Sequence, residues 1–393
     1  MRAEIDKRAM AALSAGHLAV DFAGGALPAL LPFIVDEFGL SYTLAAVVML
    51  ASTLAGSILQ PAFGLWSDRR GALWLLPTGV ALAGGGMALA AASPAYWAVL
   101  VFVVLSGLGT AAYHPEGSKF AAYASGRRRA SGMSLFAIGG NIGVGLGAFA
   151  VAPLVRWLGL KGGLFIAAPC AAVTLLLLVA TPYLQSFAPV APRRRAAGAG
   201  DDRRDAMLYL LGVVSFRSVA WFGLLTFVPL WEVSLGHSKA YGSFLLSAML
   251  LVGGIGTLAA GPIADRIGRR PVMIASNVVL PPLILVFVLV GGIPGAISLM
   301  LVGVAVIGTF GVTMVMSQEY LPRHIGMASG LSIGFSIGLG GIAAVALGAV
   351  ADSIDLRTAF YICAAAPVVA LLLCLPLPRT VSRHRLEPEL VVP

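Results

Sequence analysis

The sequence predicts an all-α membrane protein with twelve transmembrane helices in two pseudo-symmetric six-helix bundles. Three observations support this fold class. Of the 393 residues, 59% are hydrophobic and only 11% are charged. Apolar runs of about 20 residues, the length that crosses a bilayer, recur along the chain. One short motif also occurs twice, half a chain length apart. The first apolar run is too long for a signal peptide, so we interpret it as the first spanning helix.

The apolar runs define the predicted helices in order. In the first half we place them at about 9–34, 42–66, 72–92, 95–116, 131–155 and 160–182. In the second half we place them at about 207–232, 240–263, 271–291, 294–318, 327–350 and 357–377. This division predicts an N-terminal bundle at 1–182, a cytoplasmic linker at 183–206, a C-terminal bundle at 207–378 and a cytoplasmic tail at 379–393.

The duplicated motif reads G-x-x-x-D-R-x-G, and its two copies are offset by 197 residues. The matched positions are Gly64, Asp68, Arg69 and Gly71 in the first copy and Gly261, Asp265, Arg266 and Gly268 in the second. Each copy separates two apolar runs, so we expect a tight turn in which glycine permits the bend. The aspartate can sit at a neighbouring helix N-terminus, and the arginine can pair with a carboxylate. Two unrelated basic turns would not share four positions at one offset, so duplication is the better explanation.

The basic residues are concentrated on one side of the predicted membrane. The net charge is +9, and most of the 26 Lys and Arg residues fall in the N-terminus, the tail and the loops on the linker side. This asymmetry predicts that both termini are cytoplasmic, and it argues against nucleic acid as the partner of the charge. We expect a multi-pass, monomeric protein of the bacterial inner membrane, whose partners are a small-molecule substrate, protons and the lipid bilayer.

The sequence lacks the motifs of an enzyme or an ATP-driven pump. It contains no G-x-x-x-x-G-K-[ST] and no H-E-x-x-H. Cys170, Cys363 and Cys374 all lie in apolar runs without metal-ligand spacing, which indicates small core residues. We therefore predict neither a cofactor nor a metal. Transport would have to draw on an ion gradient, which requires a titratable group inside the membrane.

Asp21 is the main candidate for that group. It lies near the middle of helix one, where a charge costs about 2.5–3.5 kcal/mol to insert. His17 lies one turn earlier on the same face and either shares the proton or orients Asp21. The alternative is that Asp21 is a hydrogen-bonded structural group.

Arg217 is the candidate for the substrate cavity. It lies near the middle of helix seven, and the 197-residue offset places it level with Val20, beside Asp21. We expect both charges to face one central cavity, where Arg217 either binds an anionic substrate or balances Asp21. Trp221, one turn further on, either lines this cavity, stacks on Arg217 or serves only in packing.

Polar residues at the predicted ends of helices four and ten are candidate partners of the duplicated turns. They are His114, Glu116 and Glu319. We expect Glu116 to pair with Arg69 and Glu319 to pair with Arg266. The alternative is that these residues form two polar helix ends without further function.

Glycines at four-residue spacing mark helices five and eleven. They are Gly139, Gly143 and Gly147 in one helix and Gly330, Gly334 and Gly338 in the other. Small residues at this spacing predict close helix contacts in lipid.

The duplicated turn resembles the signature loop of the major facilitator superfamily, where it works as a conformational latch. A narrower resemblance, to the fosmidomycin-resistance branch, rests on several motifs along the chain. These are His17 with Asp21, Leu59-Gln60-Pro61, His114-Pro115-Glu116-Gly117-Ser118, Ser134-Leu135-Phe136 with Gly139-Gly140-Asn141, and Gln318-Glu319 followed by Arg323 and Met327. The resemblance implies a major facilitator fold and a proton-driven exporter of antibiotics or related metabolites. On the same basis we place Asn141 in the substrate cavity.

Two departures from the antiporter pattern leave the direction of transport open. Helix four has no basic residue before His114, and helix five has Gly147-Ala148 where drug antiporters commonly have Gly-Pro. Proton-coupled import of a nutrient such as a sugar or organic acid is therefore the alternative to export. A membrane sensor or enzyme is a third interpretation, which the duplicated turns and the lack of catalytic motifs disfavour.

Overall fold

The computed structural model describes residues 4–70, 72–126, 129–187, 201–322 and 325–378, and these residues are almost entirely helical. They form thirteen α-helices and one 3-10 helix, Leu160–Ile166. The α-helices are α1 Lys7–Phe38, α2 Tyr42–Arg70, α3 Leu75–Ala91, α4 Tyr96–Ala124, α5 Arg129–Leu158, α6 Ala167–Gln185, α7 Arg204–Ser234, α8 Lys239–Ile267, α9 Arg269–Val290, α10 Gly292–Gly308, α11 Phe310–Tyr320, α12 Ile325–Ser353 and α13 Leu356–Cys374.

These helices give twelve membrane crossings within the described residues. Eleven segments are long and apolar enough to span a bilayer, and the shorter apolar helix α3 is the twelfth. The 3-10 helix and α6 form one of the segments, and α10 and α11 form another, Gly292–Tyr320. The predicted all-α membrane fold with twelve helices is confirmed.

The described residues are divided between two compact units. The first takes in 4–187 together with Phe222–Leu251 and Ile337–Ala359, and the second takes in the described parts of 197–221, 252–336 and 360–393. The last part of α7, the first part of α8 and more than half of α12 therefore pack with the first half of the sequence. The predicted domain boundaries remain a prediction, and most of the predicted linker and all of the predicted tail lie outside the described residues.

Helices α2 and α4 are longer than predicted. Helix α4 was expected to end near residue 116, but it continues to Ala124 with Pro115 in its interior. Helix α2 likewise contains Pro61 and continues to Arg70. Proline ends most helices in water, but in a bilayer an interrupted backbone would leave polar groups unsatisfied, so membrane helices tolerate it.

The duplicated motif is mostly helical, which corrects its assignment as a turn. In the second copy, α8 includes Gly261, Asp265 and Arg266, and only Gly268 separates it from α9. Gly268 has φ +95°, a conformation that favours glycine. In the first copy, the α2 backbone is helical through Arg70, while Gly71 and the side chains of Asp68 and Arg69 lie outside the described residues.

The tenth predicted helix is interrupted. Thr309 separates α10 from α11, although both belong to one apolar segment. Its φ and ψ of −90° and 1° depart from the helical values. The sequence contains no proline at this point, so the interruption was not predicted.

Helices α1 and α5 are in close backbone contact, as the glycine spacing predicted for α5. A Cβ atom on Gly139, Gly143 or Gly147 would overlap the carbonyl oxygens of Ser14, Leu18 and Phe22, respectively. The three carbonyls are also four residues apart, so one helix face fits against the other over two turns.

The corresponding glycines of α12 do not make such contacts. No described atom lies within 4 Å of a Cβ built on Gly334 or Gly338, and the side-chain position of Gly330 lies outside the described residues. The glycines of α12 in close contact are Gly340, Gly341 and Gly348. The expected second glycine contact was therefore assigned to the wrong face of the helix, because sequence spacing does not fix helix rotation.

These two glycine faces give a test of packing. Gly143→Val should lower the midpoint of thermal unfolding by about 5 °C or more, because its side chain would force α1 and α5 apart. Gly338→Val is the matched control and should change the midpoint little. Unfolding of both purified variants in detergent measures the difference, and equal midpoints would contradict the assigned interface.

Candidate functional site

Asp21 lies between two histidines. Its Oδ2 atom is 3.2 Å from Nε2 of His17, one turn away on α1. Its Oδ1 atom is 3.1 Å from Nε2 of His114 on α4. The side chains of His17, Asp21 and His114 are 15%, 19% and 27% exposed, respectively. The predicted pairing of Asp21 with His17 is present, and His114 completes a three-residue cluster.

The orientation of His17 is fixed by α5. Its Nδ1–H donates to the main-chain carbonyl of Phe136 at 2.8 Å, and its ring stacks on the Phe136 ring at 4.2 Å between centroids. A carbonyl oxygen can only accept, so Nδ1 carries a hydrogen. The approach of Nε2 to Asp21 then requires a second proton, either on Nε2 or on the carboxyl group. Without it, two lone pairs would face each other at 3.2 Å.

Gly140 leaves the space that the cluster occupies. A Cβ atom at this position of α5 would lie 2.5 Å from Oδ2 of Asp21 and 2.6 Å from Nε2 of His17. The α1–α5 glycine contact therefore continues into the site, where a side chain on α5 would separate Asp21 from His17.

His114 was assigned by sequence to the latch, and the structure corrects this. Because α4 continues to Ala124, His114 lies ten residues before its end rather than at a helix terminus. The available signal was its chemistry, since a titratable residue within an apolar segment is a functional candidate by default.

Among the described residues, these three also have a spacing that is compatible with a metal ion, because their potential ligand atoms lie within 4.8 Å of one another. However, His114 Nε2 meets Asp21 Oδ1 with the geometry of a hydrogen bond. Donors that face acceptors directly are typical of a cluster that holds protons.

Arg217 lies in the second unit and is tied to two other helices. Its Nη1 donates to Ser276 Oγ at 2.8 Å and to Asn277 Oδ1 at 3.3 Å, both on α9. Its Nη2 donates to Thr309 Oγ1 at 2.5 Å and to the carbonyls of Ala305 and Val306 at 3.3 Å each.

All of these partners are neutral, and Arg217 is only 6% exposed. A buried charge whose described hydrogen-bond partners are all neutral is costly, so this guanidinium favours an approaching anion. Its bonds to α10 and Thr309 also hold the point at which the tenth helix is interrupted. The shared cavity predicted for Asp21 and Arg217 remains a prediction.

Two further cavity candidates are placed by their helices. Trp221 is partly buried on α7, one turn after Arg217. Asn141 is partly buried on α5, next to Gly140. Their roles in a substrate cavity remain predictions.

Both carboxylates assigned to the latch form ion pairs among the described residues. Glu116 is fully buried, and its Oε2 lies 2.7 Å from Nζ of Lys119 on the same helix. The predicted pair with Arg69 is untested, because that side chain lies outside the described residues.

In the second copy of the motif, Arg269 takes the place predicted for Arg266. Its Nη1 is 2.7 Å from Oε1 of Glu319, and its Nη2 is 3.9 Å from Oδ1 of Asp265. Arg266 is exposed. Because α8 continues to Ile267, Arg266 still belongs to that helix. The side chain that reaches Glu319 on α11 is that of Arg269, two residues beyond the end of α8.

The sequence assigned no role to the residues that hold the two charged groups in place. Around Asp21 they are Phe136, which acts through its carbonyl, and Gly140. Around Arg217 they are Ser276, Asn277 and Thr309. For Ser276, Asn277 and Thr309 the available signal was a neutral polar residue in an apolar segment, but the sequence does not show which helices meet.

The chain is similar to known transport proteins over nearly all of its length. The model of the Major Facilitator Superfamily matches residues 13–256 and 210–390. The fosmidomycin resistance protein of Escherichia coli (strain K12) is 29% identical over 372 residues, which cover 92% of this chain and 91% of that protein. An uncharacterised transporter of the same type from Bacillus subtilis (strain 168) is 30% identical over 372 residues, covering 91% and 89%.

The fold is also that of solved transporters. The bacterial homologue of the human lysosomal transporter Spinster, in an inward-facing and occupied conformation, matches with a TM-score of 0.77 at 13% identity, covering 93% of this chain and 95% of that one. With the family match across both halves, the duplicated motif and the twelve membrane helices, the chain belongs to the Major Facilitator Superfamily and is a transport protein rather than an enzyme.

Proposed function

We propose that the protein is a proton-coupled exporter of small anionic antibiotics of the fosmidomycin kind, or of related metabolites, and that it works by alternating access. The observation that carries this proposal is the proton that the Asp21 cluster requires. Because His17 already donates Nδ1–H to Phe136, its contact with Asp21 needs a further proton that can be loaded and released. The similarity to the fosmidomycin resistance protein supports export and this class of substrate.

The energy requirement is modest. One pH unit across the membrane is worth about 1.4 kcal/mol per proton. A tenfold change in the affinity of the cluster for its proton has the same free energy. Changing the distance of either histidine from Asp21, or admitting water to the carboxylate, is sufficient for a change of this size. A rearrangement of α1 against α4 and α5 would supply it.

Arg217 is the proposed contact for the anionic substrate. Its charge is buried among neutral partners, so an anion that reaches it gains an electrostatic interaction that no described side chain now provides. Substrate and proton would then act on separate units of the protein, and the conformational change would couple them.

The main test is transport of labelled fosmidomycin into inside-out membrane vesicles with an acidic interior. An exporter that exchanges drug for protons should concentrate the label inside, and collapse of the pH gradient should abolish the accumulation. Accumulation only in right-side-out vesicles with an acidic exterior would instead indicate proton-coupled import.

Asp21→Asn removes the carboxylate that holds the proton and mimics its neutral form. We expect this variant to retain binding and exchange of labelled fosmidomycin but to lose accumulation driven by the gradient. Asp355→Asn, an exposed aspartate at the start of α13, is the control and should transport as wild type does. If Asp21→Asn builds an equally steep gradient, another group carries the proton.

Gly140→Ala tests the geometry of the cluster without changing its chemistry. The added methyl group should push Asp21 and His17 apart and reduce gradient-driven accumulation by about ten- to a hundredfold. Gly85→Ala is the matched control, because no described atom lies within 4 Å of its Cβ position. Equal activity of the two variants would show that the contact between Asp21 and His17 is not needed.

Substitution of Arg217 separates charge from packing. Arg217→Lys keeps the charge and should raise the apparent KM for fosmidomycin by about tenfold, whereas Arg217→Gln should abolish saturable transport. Initial rates of labelled uptake measure both effects. If the two variants behave alike, Arg217 acts through its contacts with α9 and Thr309 rather than through its charge.

A further inference from the structure

The end of α12 is joined to the beginning of α2 by one carboxylate. Oδ1 of Asp352 accepts the backbone N–H of Tyr42 at 2.8 Å. Oδ2 accepts the backbone N–H of Thr43 at 2.8 Å and its hydroxyl at 2.5 Å. The joined residues are about 310 positions apart, one in each half of the sequence, and all belong to the first compact unit.

This carboxylate caps a helix from outside that helix. The first N–H groups of a helix lack intrahelical partners and are usually satisfied by the residue just before it. Here that residue, Ser41, accepts the N–H of Leu44 on its hydroxyl oxygen at 3.3 Å. Asp352 supplies the remaining acceptors, and its negative charge lies at the positive end of the α2 dipole.

Below the cap, α12 and α2 are in backbone contact. A Cβ atom on Gly348 would lie 2.8 Å from the carbonyl oxygen of Tyr42, and one on Gly341 would lie 2.6 Å from Thr53 Oγ1. Small residues let the helices approach closely without interlocking side chains. This interface can therefore separate without unpacking large groups.

A second connection between the halves lies at the same end of the helices. Lys239, the first residue of α8, forms an ion pair with Asp36 near the end of α1. One turn further along α8, the hydroxyl of Ser243 donates to the carbonyl of Ala29 at 3.3 Å. These are the ends that the charge distribution predicts to be external.

We propose that these contacts form the closed outer gate of the transporter and that Asp352 is its releasable latch. Asp352 is exposed, so water can replace its oxygens on the N–H groups of Tyr42 and Thr43 when the helices part. The cap therefore stabilises the closed gate and is lost in the outward-open state. This inference rests on the alternating access proposed above.

Thiol accessibility tests the latch independently of substrate. The three native cysteines are replaced, and Ala344→Cys is introduced as the reporter. Ala344 is fully buried and lies on the face of α12 that carries Gly341 and Gly348. In this background Asp352→Ala should raise the rate of labelling by an impermeant maleimide in whole cells about tenfold, which corresponds to about 1.4 kcal/mol and to the loss of a helix cap.

Asp355→Ala is the matched control for this measurement. Its carboxylate accepts the N–H of Thr358 at 2.6 Å and so caps its own helix, α13. It should leave the reporter protected. Thr43→Val removes one of the three hydrogen bonds to Asp352 and should give a smaller increase in the labelling rate. This variant replaces Asp352→Ala in the test if Asp352→Ala does not reach the membrane. Unchanged labelling in the Asp352→Ala or Thr43→Val variant would overturn the proposal.

A reversible crosslink gives the complementary test. In Thr43→Cys with Asp352→Cys, oxidation should stop transport of labelled fosmidomycin, and a reductant should restore it. Transport that continues in the oxidised, crosslinked protein would show that this contact need not open. If fosmidomycin is not a substrate at all, the labelling experiment still decides whether Asp352 holds the gate, so the two proposals fail separately.

Discussion

The close approach of α1 and α5 is the constraint on which the Asp21 site depends. Lipid offers no hydrophobic force between helices, so their contact relies on small residues that bring backbones together. The glycine face of α5 meets the carbonyls of α1 at Ser14, Leu18 and Phe22. This proximity also places the Phe136 carbonyl on His17. The register of α1 against α5 therefore determines that Nδ1 of His17 carries a hydrogen.

The sequence was sufficient for the fold and for the identity of the charged residues. Apolar runs, the duplicated motif and the intramembrane Asp21 and Arg217 follow from composition and spacing. The contacts of these residues did not follow, because sequence spacing fixes neither the rotation of a helix nor its neighbours. His114 shows this, since helix four was expected to end near residue 116, whereas α4 continues to Ala124 and His114 lies against Asp21.

The two halves have diverged from the symmetry that the motif indicates. Glycines of α5 hold α1, while the glycines of α12 in close contact belong to a different face, which packs against α2 and α7. Likewise, Asp21 has titratable partners and Arg217 has neutral ones. This difference supports the proposed roles, in which the first site exchanges protons and the second keeps its charge. A residue cannot be assigned a role from its counterpart in the other half.

The enclosure of Asp21 also limits how a cargo molecule can influence it. Each carboxylate oxygen faces an imidazole, and the α5 backbone at Gly140 fills the adjoining space. A cargo molecule that bound the carboxylate directly would have to compete with the imidazole that each oxygen already faces. In the transport cycle proposed above, proton and cargo are therefore coupled through the relative motion of α1, α4 and α5.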